Sequence, residues 1–274
     1  MTNQYNHHHY IEQSQGLLGS TYYGTFFKEH FHSQAGAWEE TCHNFIETPE
    51  ILNYVYTQNP KELTILEIGL GQGTGYLTLV SKLTSLPIEN RPFLQFFSLE
   101  LFEECLLFAQ ETEKKIQRSQ YSKYSEYSDD SLNYYPQFNS QNFFENKNNK
   151  NKNSQNIFIS KNTYGHLEVL WGNALETILL LKKKLCQQNI NIDFIFHDPF
   201  SPSKNPELWT GHWFEQLRSI SHSQTRLSTY SCSKVTKKGL SEGGWFYEKK
   251  AGLPPKREIL LARCSTLQGS TLKK

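Results

Sequence analysis

The chain has 274 residues, five cysteines and a formal charge of only +1. That length allows one large domain or two small ones, with a core big enough to need no disulfide staples. The cysteines, at positions 42, 105, 186, 232 and 264, form no C-x-x-C pair, which disfavours a zinc site or secretion and favours a reducing cytoplasm.

The start, MTNQYNHHHY, is polar and unlike a signal peptide. The most apolar window, 167–185, is broken by Asn173, Glu176 and three lysines, so no membrane span is expected. Residues 1–15 read as a loose tail, with His7–His9 solvated and no metal site implied. Residues 19–46 are rich in aromatic and polar residues and predict short strands or a hairpin, followed by a helix over 48–58. Together, 1–62 form an N-terminal tail and extension able to pack over a crevice in the domain that follows.

That domain spans 63–264, with 265–274 as a C-terminal tail. It opens with the apolar run Ile65–Ile68, read as a buried parallel strand, then glycines at 69, 71, 73 and 75 and a helix from Tyr76 to Thr84. Strand, glycine turn and helix N-terminus make a nucleotide-binding loop, because missing Cβ atoms let a ligand approach the backbone. The dinucleotide pattern G-x-G-x-x-G/A fails at Thr74 and at Tyr76, and no G-K-[ST] ending places a lysine for a triphosphate. E-x-G-x-G-x-G remains, with Glu67 at the strand end. An acid there suits a cofactor with a positive centre and an ammonium group, as in S-adenosylmethionine (SAM).

A second strand, 93–99, ends at Glu100, 27 residues beyond Gly73. An acid about 20 residues past such a loop can accept both ribose hydroxyls of a nucleoside. A helix over 101–117 follows. Residues 119–156 are then dominated by Ser, Asn, Tyr and Lys, too poor in aliphatics to offset their ordering entropy, and predict a flexible insertion. Its aromatics (Tyr121, Tyr124, Tyr127, Tyr134, Tyr135, Phe138, Phe143 and Phe144) leave room for docking or stacking on RNA bases. Strands over 167–171, 192–197, 225–232, 244–249 and 258–263, with helices over 175–184 and 207–220, complete an α/β pattern. Seven strands in a mostly parallel, Rossmann-like sheet match a class I SAM-dependent methyltransferase.

The fourth strand runs into Asp198, in FHDPFSPSKNPELWT, at the carboxyl edge of the sheet. Such a carboxylate can accept a hydrogen bond from an amine and aim its lone pair. Prolines 199, 202 and 206 stiffen the loop, which favours accurate positioning. From 234 to 257, seven basic residues face two acidic ones, the footprint of an anionic partner on a near-neutral chain or a solvated face.

In order, ETCHNFIE, EIGLGQGTG, HDPFSPSKNPELWT, TYSCSKVTKKGL and PPKREILLAR resemble the MnmC-type methyltransferase family over about 20–118 and 157–264. The resemblance implies methylation, from SAM, of 5-aminomethyl-(2-thio)uridine at the tRNA wobble position. It places Gly69, Gly71 and Gly73 at the SAM site, Glu100 at its ribose, and Asp198 beside the substrate amine. Lys204, Asn205, Lys256 and Arg257 would shape the pocket or contact tRNA, and Phe200, Trp209 and Tyr230 would wall the flipped base. Asn173 stands where the family often has Asp, and its amide can still accept from the adenine amine. The family's flavin-dependent oxidoreductase half has no counterpart after Arg263, so a separate enzyme is expected to supply the aminomethyl group. Two other readings stay open on the residues alone: methylation of a small-molecule or protein amine, and a non-catalytic SAM-fold protein that binds RNA.

Overall fold

The computed structural model describes residues 9–13, 20–24, 27–30, 37–119, 134–138, 157–254 and 256–264. Its frame is an eight-stranded sheet with helices on both faces. In chain order the first elements are β1 (His9–Gln13), β2 (Ser20–Gly24), β3 (Glu29–His30), α1 (Ala37–Thr41) and α2 (Ile51–Gln58). Then come β4 (Glu62–Ile68), α3 (Thr74–Thr84), β5 (Phe93–Glu100), α4 (Cys105–Ser119), β6 (Ile157–Asn162) and β7 (Gly165–Trp171). The chain continues through α5 (Ala174–Gln188), β8 (Ile192–His197), α6 (Gly211–Arg218), β9 (Ser221–Thr229), α7 (Lys234–Glu242), β10 (Trp245–Ala251) and β11 (Glu258–Cys264).

Spatial order is β10-β11-β9-β8-β4-β5-β7-β6. The five central strands, β9 to β7, pair in parallel, and antiparallel hairpins close both edges. The order reverses between β4 and β8, where the chain crosses from one half of the sheet to the other. Ligands of open α/β sheets bind at such a switch point, outside the carboxyl ends of the strands. The glycine loop after β4 and Asp198 after β8 both stand there.

Continuous apolar runs in the central strands reflect burial on both faces. In β4, Leu63 and Ile65 face a core with α3, α4 and the segment after α1, whereas Leu66 and Ile68 face a core with α5, α6 and α7. Helix starts follow local chemistry. Asn173 caps α5, Thr210 caps α6 and Ser233 caps α7, each side-chain oxygen accepting a backbone N–H of the first turn.

Several expectations are revised. The sheet has eight strands because β6 pairs with β7 through a tight turn at 163–164, where Asn162 Oδ1 accepts the Tyr164 N–H at 2.9 Å. Residues 9–13, within the expected loose tail, pair antiparallel with 20–24. The expected strands around 37–46 are instead α1 and a π-helical continuation over Cys42–Glu47. Its apolar positions, Phe45 and Ile46, sit in the core beneath the sheet end. Within the expected flexible insertion, Tyr134–Phe138 docks on the core, with Tyr135 and Phe138 buried. Residues 120–133 and 139–156 lie outside the described residues, as do His7 and His8.

Candidate active site

The glycine loop turns sharply, with positive φ at Gly69, Gly71 and Gly73. Glu100, at the end of β5, binds the loop to its own strand. Oε2 accepts the Gly71 N–H at 3.1 Å and Oε1 accepts the Phe102 N–H at 3.0 Å. Burial raises the Glu100 pKa and these backbone donors pull it down. Glu67 is enclosed behind the loop. Its Oε2 accepts from Ser98 Oγ at 3.0 Å, and its carboxylate fills the space beside Gly75 that a Cβ would need. Burial, with Asp198 and Glu100 nearby, pushes the Glu67 pKa well above the ordinary carboxylate range.

Asp198 closes onto this loop. Its N–H donates to the Ile68 carbonyl at 3.1 Å, and its own carbonyl lies against Gly69. Desolvation, then Glu40 and Glu29, raise its pKa well above the usual value, and Lys256 acts in the opposite sense. The same three carboxylates surround Tyr230, whose phenol is pushed up by burial first and by Asp198, Glu29 and Glu40 next. Lys256 pairs with the buried Glu40 and lies 4.5 Å from the centre of the Tyr230 ring. Tyr230 Oη in turn donates to the Pro199 carbonyl at 2.9 Å. Three acids, one lysine and an aromatic ring thus converge beside the loop. With three acids to one lysine, such a cluster favours a cation.

The N-terminal extension reaches this pocket. Glu29 accepts from Ser201 Oγ at 2.8 Å and from Ser201 N at 3.2 Å. Phe27 stacks on Phe200 with ring centres 4.3 Å apart.

Residues 138–265 match a family model described as S-adenosyl-L-methionine-dependent methyltransferase. A tRNA 5-methylaminomethyl-2-thiouridine biosynthesis bifunctional protein MnmC from Leptospira interrogans is 29% identical over 242 residues, covering 87% of this chain and 33% of the relative. Its counterpart from Idiomarina loihiensis is 30% identical over 198 residues, covering 72% and 29% respectively. The crystal structure of MNMC2 from Aquifex aeolicus superposes with a TM-score of 0.64 at 21% identity, covering 95% of this chain and 72% of that one. The chain is an S-adenosyl-L-methionine-dependent methyltransferase, similar over most of its length to part of the MnmC proteins. It spans about a third of the length of the curated relatives it matches.

The residues of this methyltransferase fit its cofactor. Glu100 stands at the end of β5, bound to the glycine loop through the Gly71 N–H, the position from which a strand-end acid reaches ribose hydroxyls. In the loop itself, the buried Gln72 Nε2 has no hydrogen-bond partner among the described residues, a donor available to a cofactor group. Asn173 also has a structural task. Its Oδ1 accepts the Leu175 N–H at 2.9 Å as the cap of α5, so only its remaining lone pair and amide are available.

The predicted substrate residues divide. Asp198, Phe200, Tyr230 and Lys256 come together at the pocket. Trp209 is fully buried in a 3₁₀ turn (Pro206–Trp209), donating Nε1–H to the Phe200 carbonyl at 2.9 Å; it supports the loop from below and forms no open wall. Asn205 is buried too, its amide bound to Glu207 at 2.5 Å. Lys204 and Arg257 are exposed, with no ion pair to another described residue. The basic stretch is largely offset: Lys238 pairs with Glu242, Lys249 with Glu258, Lys250 with Glu248 and Lys256 with Glu40.

Sequence reasoning missed Glu29, Glu40 and His197. Glu40 comes from the first helix and Glu29 from a two-residue strand, both far from Asp198 in sequence. His197 directly precedes Asp198 and is fully buried; its Nε2 lies 3.0 Å from Trp213 Nε1 and 3.0 Å from the Leu208 carbonyl. Nε2 thus faces a donor, the indole N–H, and an acceptor, the carbonyl, and serves one of the two in either tautomer of a neutral ring. Burial lowers the His197 pKa to about 3, in keeping with a neutral ring.

Proposed function

We propose that this methyltransferase converts 5-aminomethyl-(2-thio)uridine to 5-methylaminomethyl-(2-thio)uridine at the tRNA wobble position, in the cytoplasm. The observation that carries the proposal is the gathering of Asp198, Glu40 and Glu29 around Lys256 and Tyr230, next to the glycine loop. SAM, when bound, supplies an electrophilic methyl group that leaves its sulfonium sulfur and bonds to the amine nitrogen.

The chain's own residues address the acceptor. A primary alkylamine near pKa 10.4 is mostly protonated at neutral pH and must shed a proton before it attacks. The acidic pocket draws in the ammonium form. Asp198 is desolvated and flanked by like charges, so it holds a proton more readily than an ordinary carboxylate. It can therefore accept the proton that the amine loses and direct the freed lone pair. Phe200 and Tyr230 offer aromatic surface beside that carboxylate, suited to a base splayed from a single-stranded loop. The nucleoside in the relatives' name, 5-methylaminomethyl-2-thiouridine, combines a base ring with an alkylamine, the two features this cluster suits.

Two measurements test the reading. Purified chain with SAM and tRNA carrying 5-aminomethyluridine should yield methylaminomethyl-uridine by nucleoside mass spectrometry. In cells, deletion of the gene should lower that nucleoside, and unchanged levels would remove the proposal. A small-molecule or protein amine as acceptor would instead show turnover that is indifferent to added tRNA and to salt.

A further inference from the structure

Part of the low-complexity stretch packs against the glycine loop and the start of α3. Tyr134–Phe138 (YYPQF) is clamped along its length. Tyr134 stacks on Tyr164 at 3.9 Å, lies under the Arg91 guanidinium at 4.7 Å, and its carbonyl accepts from Asn162 Nδ2 at 3.0 Å. Tyr135 Oη donates to the Pro92 carbonyl at 2.9 Å. Tyr76, in the first turn of α3, donates its hydroxyl to the Pro136 carbonyl. The Phe138 backbone is hydrogen-bonded to the Glu113 carboxylate, and its ring packs edge-on against Tyr76 with centres 5.3 Å apart.

The consequence falls on Gly73, the last glycine of the loop and the residue before α3. It holds φ at +75°, and a Cβ built there would stand 3.1 Å from Phe138 Cε2 and 2.7 Å from the Ala109 methyl group. The phenyl edge and Ala109 therefore form the floor on which the last turn of the loop rests. Phe138 and Pro136 hold two successive parts of one unit, the turn at Gly73 and the first helical residues after it.

We propose that Phe138 is a positioning residue for cofactor binding, with Tyr134–Phe138 acting as a brace that holds Gly73 and the start of α3 in their SAM-binding arrangement. The brace meets Gly73 on the side to which its Cβ would project. A looser floor lets the turn relax between binding events, and re-ordering it then reduces SAM affinity. The inference depends on the fold and the cofactor and is independent of which amine is methylated.

The test is calorimetric titration of the full chain with SAM, alongside thermal melting. Phe138→Ala is expected to weaken SAM binding about tenfold, within the range of ordinary coupling between neighbouring elements. Phe138→Leu, which keeps most of the apolar bulk, should restore affinity to within about threefold. Trp245→Phe removes the buried hydrogen bond from the indole to the Phe214 carbonyl in the other core cluster, away from the brace, and should lower the melting temperature with affinity within about twofold. Equal SAM affinity in Phe138→Ala and wild type, with only the melting temperature lowered, would overturn the proposal. Should Phe138→Ala fail to fold, Phe138→Leu and Phe138→Val provide the series, and an affinity flat across them overturns it equally.

Discussion

Gly69 carries no side chain where the carbonyl oxygen of Asp198 lies: a Cβ at Gly69 would meet that oxygen at 2.8 Å. The start of the cofactor loop and the start of the acceptor loop are thus packed backbone to backbone. Gly69→Ala should damage both. Gly69 also sits at φ +91°, so an alanine adds a backbone cost of at least about 1 kcal/mol before any clash. We expect a lower denaturation midpoint together with weaker SAM binding and weaker turnover. Wild-type SAM affinity in the folded variant would show that the close approach is structural only.

Asp198→Asn should separate catalysis from cofactor binding. An amide keeps the shape but cannot take the amine's proton, and a positioned acid–base group contributes about 10²–10⁴ in rate. Turnover on aminomethyl tRNA is expected to fall by that order while SAM affinity stays within about threefold. A variant retaining most of its activity would remove Asp198 from the proton transfer.

The sheet and the cofactor loop were legible because their signals are local. An apolar strand followed by alternating glycines specifies its own turn, and Glu100 and Asp198 are strand-end acids readable by position alone. The acceptor pocket was less legible because it is assembled by contacts across the chain. Glu40 meets Lys256 from over two hundred residues away, and nothing in AWEETCHNFIE marks that glutamate from its neighbour Glu39. Composition also misled. YYPQF sits among Ser and Asn residues, yet its rings fill a gap beside Tyr76 and Phe158 that no periodicity reveals. Trp209 reads as a binding aromatic in its loop motif, but a 3₁₀ turn rolls it into the core.

Glu40→Gln and Lys256→Met should move the pH dependence of turnover in opposite directions. Glu40 raises the Asp198 pKa and Lys256 lowers it. Removing the Glu40 charge should shift the acidic limb of the rate profile to lower pH, since Asp198 then deprotonates more easily. Removing the Lys256 charge should shift it to higher pH. Limbs that stay together in both variants would mean that another group controls the profile.

His197 should also leave its mark on stability. Its folded-state pKa is lowered to about 3 from an ordinary 6.5, so between those values the unfolded chain binds a proton that the folded one refuses. Stability therefore falls as pH drops below about 6.5, by up to about 1.4 kcal/mol per unit from this group. Glu113 acts oppositely over part of the window. Its pKa is raised by burial to about 7, so its contribution is present below the ordinary 4.5 and lost as pH rises towards 7. From 4.5 to 6.5 the two slopes offset each other, and the wild-type curve alone hides both. Comparison with His197→Gln, which can accept from Trp213, isolates the histidine. The stability of wild type relative to that variant should decline steadily from pH 6.5 to 4.5 in urea titrations. A difference independent of pH would show that the folded protein binds the His197 proton as readily as the unfolded chain, contrary to a pKa lowered by burial.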